Sequence, residues 1–273
     1  MGAAWRFRAT LATAALLLIA TSGGLFFDVY RDNLWVSSQL RGQDFVSLVL
    51  VLPALLVSAR LMERGSDLGG LVWLGVLGYI VYSYLYIFGI AWNPLFLVYL
   101  ALLTLSVFTL VRALIDTDAE SIASLFPEDA PIKAVSRYLL GFGIVLGVLW
   151  GIQVIAALVT GDTPANVTSA GHPTSVVFIL DLGLVVPLFI LGARMLHRRQ
   201  AWGFVLAGIL LVKGITEGLA LLGMSLFMSL VNHPDFDVAL VPLWAFVTGA
   251  SAYLAVHFFG GIHQQRGSLV ERS

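Results

Sequence analysis

The chain has 273 residues, of which 59% are hydrophobic and 11% are charged, and its net charge is −1. Soluble domains carry about a quarter charged residues, so a soluble fold of this length could not bury so much apolar side chain. The absence of cysteine excludes disulfides, thiolate metal sites and cysteine catalysis, and the near-neutral charge gives no indication of nucleic acid as a partner.

Eight apolar segments follow one another along the chain, several of them longer than the ~18 residues that mark a membrane-spanning helix. A bilayer admits only helices and closed barrels, so they predict an all-α, polytopic membrane helix bundle with the lipid bilayer as its partner. No A-x-A cleavage site follows the first segment, which is therefore expected to be retained as a helix. Predicted helices 1 to 8 cover residues 9–27, 43–61, 69–90, 94–114, 134–160, 174–196, 202–228 and 238–260.

The positive charges divide unequally between the two ends of the predicted helices. With the N-terminus placed inside, Arg31 and Arg41 fall outside and twelve other basic residues fall inside. Cytoplasmic loops carry an excess of Lys and Arg, so both termini are predicted to be cytoplasmic, in a multi-pass protein of the cell membrane. Trp73 and Trp202, at inner helix ends, are expected to belong to the aromatic belt. The inner basic residues are Arg6, Arg8, Arg60, Arg64, Arg112, Lys133, Arg137, Arg194, Arg198, Arg199, Arg266 and Arg272.

The longest inner connection, DTDAESIASLFPEDAP, is predicted to contain one short helix. Thr117 and Glu120 have the spacing of a capping box, and an apolar face follows at Ile122, Leu125 and Phe126. This helix either lies on the inner membrane surface, where it could bind a partner, or tethers two membrane halves. The predicted units are membrane half one (1–114), the cytoplasmic connection (115–133), and membrane half two with a short cytoplasmic tail (134–273).

Two stretches of the chain indicate an internal repeat. LPALLVSARLMERG (52–65) and VPLFILGARMLHRR (186–199) each place an arginine seven residues after a proline, in the inner halves of predicted helices 2 and 6. The last helix of each half carries a further proline, Pro94 or Pro242. The pattern predicts a 4+4 repeat with parallel copies related by an axis along the membrane normal. Coincidence is the alternative, because prolines and inner-end arginines are common in such helices.

Three ionisable residues lie within the apolar zone: Asp181 in helix 6, and Lys213 and Glu217 in helix 7. The tight turn near Arg199 makes these helices antiparallel neighbours. Asp181 and Glu217 both stand 18 residues from that turn, so an equal rise per residue places them at one depth in the outer half of the membrane. Lys213 is one turn deeper, on the same helix face as Glu217. One ammonium cannot neutralise two carboxylates, so one carboxyl is expected to carry a proton.

This trio predicts a proton-responsive site, since intramembrane charges often mark pathways for ions and solutes. The alternative is a structural triad that locks helix 6 to helix 7. No metal or cofactor is predicted, because His172 and His233 lie in outer loops without metal-ligand spacing.

Other polar residues are expected near the same outer depth and could line a path to the trio. Three tyrosines spaced three and four apart form one face of helix 3, although packing is an alternative explanation for them. Asp44 opens predicted helix 2, where an interaction with the positive end of the helix dipole is the simpler explanation. The candidates are Tyr79, Tyr82, Tyr86, Asp44 and Asn93.

The segments YRDN…RGQD and YSYLYIFGIAWNPLFLVYL, within residues 28–105, resemble uncharacterised polytopic membrane proteins of bacteria and archaea. That resemblance implies a membrane fold and no activity. The residues favour a transporter or channel for a small solute or ion, and the alternative is a non-transporting scaffold or sensor in which the trio is structural. An enzyme or a retinal protein is disfavoured, because no nucleophile or zinc motif is present and the carboxylate follows the lysine.

Overall fold

The structure, a computed structural model, describes residues 4–270, with only the backbone described at residue 4, at 261 and at 263–270. Arg266 therefore has no described side chain, and Arg272 lies outside the described residues. The described chain is helical and confirms the predicted membrane helix bundle, with eight helices long and apolar enough to cross a bilayer. They are α1 (Ala4–Phe26), α2 (Leu34–Glu63), α3 (Asp67–Tyr86), α4 (Phe96–Ile115), α5 (Ile132–Thr160), α6 (Val176–His197), α7 (Ala201–Leu230) and α8 (Leu240–Val270).

The outward faces of the bundle are apolar. Large hydrophobic side chains project from α4 and α5, and Leu158, for example, is 78% exposed. A continuous apolar exterior of this kind is stable only where lipid covers it. The chain is therefore a multi-pass membrane protein.

The second helix begins nine residues earlier than the sequence predicted. Asn33 caps α2, and its side chain accepts a hydrogen bond from the Val36 amide at 3.0 Å. Residues 34–42 were expected to lie in the loop between predicted helices 1 and 2, yet Ser37 and Ser38 are buried inside the protein, as is Gln43 after them. Asp44 consequently lies well inside α2, and its predicted interaction with the helix dipole is wrong.

Two of the spanning helices contain a wide, π-helical turn. The turns cover Ser47–Val51 in α2 and Asp181–Val185 in α6, and each ends just before a proline, Pro53 or Pro187. Proline lacks a backbone N–H and its ring clashes with the carbonyl one turn earlier, so a widened turn at this point relieves the conflict. Each helix therefore passes its proline with one widened turn and continues as an α-helix.

The helix pairs α2–α3 and α6–α7 share further local features. In each pair a residue with positive φ, Gly65 (81°) or Arg199 (52°), stands two positions after the end of the first helix. The next helix begins with a glycine that packs directly on the preceding helix end, Gly69 or Gly203. These similarities concern two helix pairs only, and the 4+4 repeat stays a prediction that superposition of the complete halves would test.

The basic turns lie at the end of the bundle that carries the N-terminus, here called the inner end. Arg6, Gly65, Ser66 and several residues of the segment 113–122 border one cavity of about 240 Å³. Arg199 donates a hydrogen bond to the Glu128 carbonyl at 2.8 Å. Trp73, expected in the aromatic belt at this end, is only 1% exposed and donates to Thr10 Oγ1 at 2.9 Å. It therefore joins α3 to α1, and its assignment to the belt is wrong.

The inner connection contains a helix at Ala119–Ser124. Its N-cap is Asp118, which accepts from the Ser121 amide at 3.1 Å, so the predicted capping box at Thr117 is wrong by one residue. Phe126 packs against Phe204 of α7 and Phe258 of α8, with ring centroids 4.9 Å and 4.5 Å away. The end of the connection is thus docked into the bundle.

Helix α7 is the centre of the bundle and packs on α2, α3, α6 and α8. Two glycines, Gly214 and Gly218, lie directly against Ser251 and Thr248 of α8. Because the small residues face α8, the long side chains of Lys213 and Glu217 are directed at other neighbours. This arrangement positions the candidate site.

Candidate functional site

Lys213 and Glu217 form an ion pair along α7. The Lys213 ammonium lies 3.0 Å from Glu217 Oε2, and the two side chains are 12% and 21% exposed. A lysine that precedes a glutamate by four residues is the weaker order for such pairs. In a low-dielectric setting the attraction is nevertheless strong, because little water competes with it.

Tyr82 of α3 connects this pair to Asp181. The Lys213 ammonium stands over the Tyr82 ring, 3.8 Å from its centroid, in a cation–π contact. The Tyr82 hydroxyl donates to Asp181 Oδ1 at 2.7 Å. Within the described residues no ion pair joins Asp181 to Lys213. The trio is therefore assembled, but Asp181 meets the lysine through a tyrosine and not face to face.

Trp150 of α5 completes the environment of Asp181. Its indole N–H donates to Asp181 Oδ2 at 2.7 Å, and its ring packs 5.2 Å from that of Phe178. Asp181 is 8% exposed, and both of its oxygens accept a hydrogen bond. Two donors at this distance stabilise an ionised carboxylate. The sequence prediction missed Trp150, although a tryptophan far from both helix ends is a signal of a polar partner inside the bundle.

The shape of α6 brings Asp181 to this position. From Val186 to His197 the helix packs on α5 and α7, the π-helical turn packs on α5, and Val176–Leu180 packs on α3. Asp181 is the first residue of the π-helical turn at which the change occurs. Such turns are frequent at functional sites.

The three tyrosines predicted to share one face of α3 lie in three different environments. Tyr82 belongs to the trio. Tyr79 is buried, its hydroxyl lies 3.0 Å from Ser47 Oγ, and both Glu217 and Asp44 are within electrostatic range. Tyr86 lies farther out, near Asp32.

Asp44 is a further buried carboxyl in the first half of the bundle. The Tyr30 hydroxyl donates to Asp44 Oδ2 at 2.5 Å. Tyr30 stands outside the membrane-spanning segments, where burial raises the pKa of its phenol well above the ordinary 10.0 and the Asp44 carboxylate raises it further. Tyr30 is therefore the donor at every physiological pH. The remaining candidate, Asn93, caps the turn before α4 by accepting from the Leu95 amide at 3.0 Å.

His172 and His233 lie in loops at the end of the bundle opposite the N-terminus. His172 Nε2 lies 2.8 Å from Asp32 Oδ1, and both Asp32 oxygens accept from the Ala91 amide at 3.1 Å. The contacts tie together the loops that follow α1, α3 and α5. His233 Nδ1 accepts from the Asp235 amide at 3.1 Å. In the part of the chain that the structure describes, no three His, Cys, Asp or Glu side chains are grouped as a metal site would require.

Two cavities stand at opposite ends of the bundle. Besides the inner one, an outer cavity of about 200 Å³ is bordered by aromatic residues together with Asn93 and Tyr99. Neither is bordered by Asp181, Lys213 or Glu217. The trio can hold, release or move a proton, and in this conformation neither cavity gives water a path to it.

Comparisons with known proteins do not point to a function for this chain. No protein-family model matches the chain, and comparisons with curated proteins and with solved structures found no match.

Proposed function

We propose that this protein transports a small solute or ion across the membrane, with Asp181, Lys213 and Glu217 as its coupling element. One observation carries the proposal: among the described residues the buried Asp181 has no cationic partner, although the Lys213 ammonium stands over the ring of Tyr82, whose hydroxyl donates to Asp181. A carboxylate at this depth is costly unless a cation or a proton neutralises it.

The geometry supports an exchange between two arrangements. In the structure Lys213 pairs with Glu217, which leaves Asp181 to bind a proton or a cation. When that proton or cation leaves, the ammonium can turn across the Tyr82 ring toward Asp181 and release Glu217. Binding of a proton or cation can drive a conformational change only if it binds one of the two conformations more tightly than the other. The π-helical turn that begins at Asp181 is the point at which the outer part of α6 would move.

A scaffold or sensor is the alternative, and the position of the cavities favours it. The trio and its partners Tyr82 and Trp150 connect α3, α5, α6 and α7, and none of the trio borders either cavity. A purely structural network would make the trio necessary for stability and irrelevant to flux.

We further propose that the protein lies in the cell membrane with both termini in the cytoplasm. The excess of arginine and lysine in the connections at one end of the bundle supports this orientation. Because the chain has no cysteine, single cysteines can report it. Cysteines at the exposed positions Thr163 and Thr168 are expected to react with an impermeant reagent outside intact cells, and one at Ser121 is not. Labelling of Ser121 from outside would reverse the orientation.

A flux screen in proteoliposomes tests the transport proposal. Ions and small metabolites are offered in turn, and uptake by wild type is compared with that of Glu217→Gln. Arg112→Gln is the matched control, because Arg112 and Asp116 form a pair of similar spacing, with Arg112 65% exposed at the inner end of α4. We expect a solute whose uptake is lost in Glu217→Gln and kept in Arg112→Gln. Uptake that survives Glu217→Gln would contradict the assigned role of the trio.

A further inference from the structure

Asp44 is a second buried carboxyl that the trio does not use. It is 6% exposed and lies well inside α2, where a membrane-spanning helix would ordinarily carry an apolar residue. Its hydrogen bond comes from Tyr30, and the structure shows no ion pair to it among the described residues. Arg41, one turn earlier, pairs instead with Asp28 at the surface. Asp44 therefore has a donor and no counter-charge.

The groups that face Asp44 are mainly phenols. Tyr30 comes from the loop before α2, Tyr79 and Tyr84 come from α3, and Tyr99 comes from α4. From α1 the neighbour is Gly24, at which any side chain would collide with Asp44 and Tyr30. A phenol ordinarily stays neutral between about pH 4 and pH 8, so none of these neighbours supplies a positive charge. An isolated carboxyl in such a place becomes neutral by binding a proton.

Tyr99 borders the outer cavity. The cavity has a volume of about 200 Å³ and is bordered by Trp92, Asn93 and Tyr99 among others. The Tyr99 hydroxyl is buried beside Tyr30 and Asn93 and makes no well-aligned hydrogen bond to either. Its ring packs 5.9 Å from that of Tyr84, and Asp44 lies within electrostatic range of both. A cavity of this size has room for water, which can bond to the Tyr99 hydroxyl and the Asn93 side chain on the otherwise apolar border.

We propose that Asp44 and Tyr30 form a second proton-binding site, which exchanges protons with the outer surface through the cavity floored by Tyr99. A proton from the outer solution crosses the cavity as hydronium and passes to Asp44 Oδ1, which leaves neutral water and a neutral carboxyl, while Oδ2 keeps its hydrogen bond from Tyr30. The step needs no other reactant. Tyr79 lies within electrostatic range of both Asp44 and Glu217, so the second site is a neighbour of the trio. Proton binding at Asp44 does not depend on transport and can be measured without it.

The test is an infrared titration of the carboxyl C=O stretch in the purified full-length protein. We expect wild type to show a component from a protonated, hydrogen-bonded carboxyl that Asp44→Asn removes and Asp181→Asn leaves in place. Tyr30→Phe should keep this component and shift it to higher frequency, since the phenol no longer donates to the carbonyl. If Asp44→Asn does not fold, Tyr30→Phe is the remaining test. An unshifted carboxyl component in Tyr30→Phe would then overturn the proposal. An identical spectrum for Asp44→Asn and wild type would also overturn it.

Two further measurements identify the ligand and the route. Adding sodium at constant pH should leave the Asp44 component unchanged, and its loss would show a metal-cation site instead of a proton site. Trp92 borders the cavity and is largely exposed, so a bulky maleimide on Trp92→Cys should block the opening. Protonation of Asp44 after a pH jump is then expected to slow by about tenfold or more, because proton exchange needs an open path. The same reagent on Thr168→Cys is the control, and an unchanged rate would remove the proposed route.

Discussion

Replacing Lys213 with methionine removes the ammonium that pairs with Glu217 and keeps the side chain long and flexible. The substitution leaves Glu217 beside Tyr82 without a positive partner, and it deletes the cation–π contact at 3.8 Å. Because the pair is largely buried, the remaining carboxylate cannot simply be rehydrated. The helix pair is therefore expected to be strongly destabilised.

The magnitude follows from the kind of pair that is broken. Removing one partner of a buried pair costs about 3–5 kcal/mol, most of it from the charge that is left behind. In a chain of this length that loss corresponds to a fall in Tm on the order of 10 °C. The double variant Lys213→Met/Glu217→Gln should recover most of it, since no buried charge remains.

Thermal unfolding in detergent measures the effect against a matched control. Arg112→Met breaks another pair with a spacing of four residues, but in that pair the arginine is 65% exposed at the bundle end. Exposed pairs contribute about 0–1 kcal/mol, so the control should lower Tm only slightly. If Lys213→Met is as mild as Arg112→Met, or if Glu217→Gln does not rescue it, Lys213 and Glu217 are not coupled as the structure indicates.

Two further substitutions test the packing around the site. Trp150→Phe keeps the ring but removes the donor to Asp181, which should cost about 1–3 kcal/mol by thermal unfolding. That cost should vanish in an Asp181→Leu background, and a cost that persists there would mean that Trp150 acts through packing alone. Gly203→Ala drives a methyl group into the backbone of Leu196 and should destabilise by about 1–3 kcal/mol. Gly141→Ala, which meets no atom within 4 Å, should be neutral or mildly stabilising, and equal effects of the two would refute the contact.

The sequence was sufficient for the eight helices because length and apolarity determine whether a segment can cross a bilayer. It failed at the start of α2, where Ser37, Ser38 and Gln43 are polar yet buried. A hydropathy pattern cannot distinguish a polar stretch that faces other helices from one that faces water. The same failure led to the wrong explanation for Asp44.

The candidate site was predicted to the extent that it depends on helical periodicity. Lys213 and Glu217 share a face at a spacing of four, and the antiparallel turn relates the depth of Asp181 to theirs. The contacts of Tyr82 and Trp150 could not be predicted in this way, because they depend on how α3 and α5 are rotated about their axes. That rotation is determined by packing across the bundle, including close approaches at glycines such as Gly75 on Val212.

The most direct test of a functional trio is the variant that carries Asp181→Asn, Lys213→Met and Glu217→Gln together. It contains no buried charge at this site, so its Tm should equal or exceed that of wild type. We predict that this stable protein has lost the solute flux that wild type shows in proteoliposomes. A stable triple variant that keeps full flux would contradict the account, and one that cannot fold would show that the three residues serve the structure.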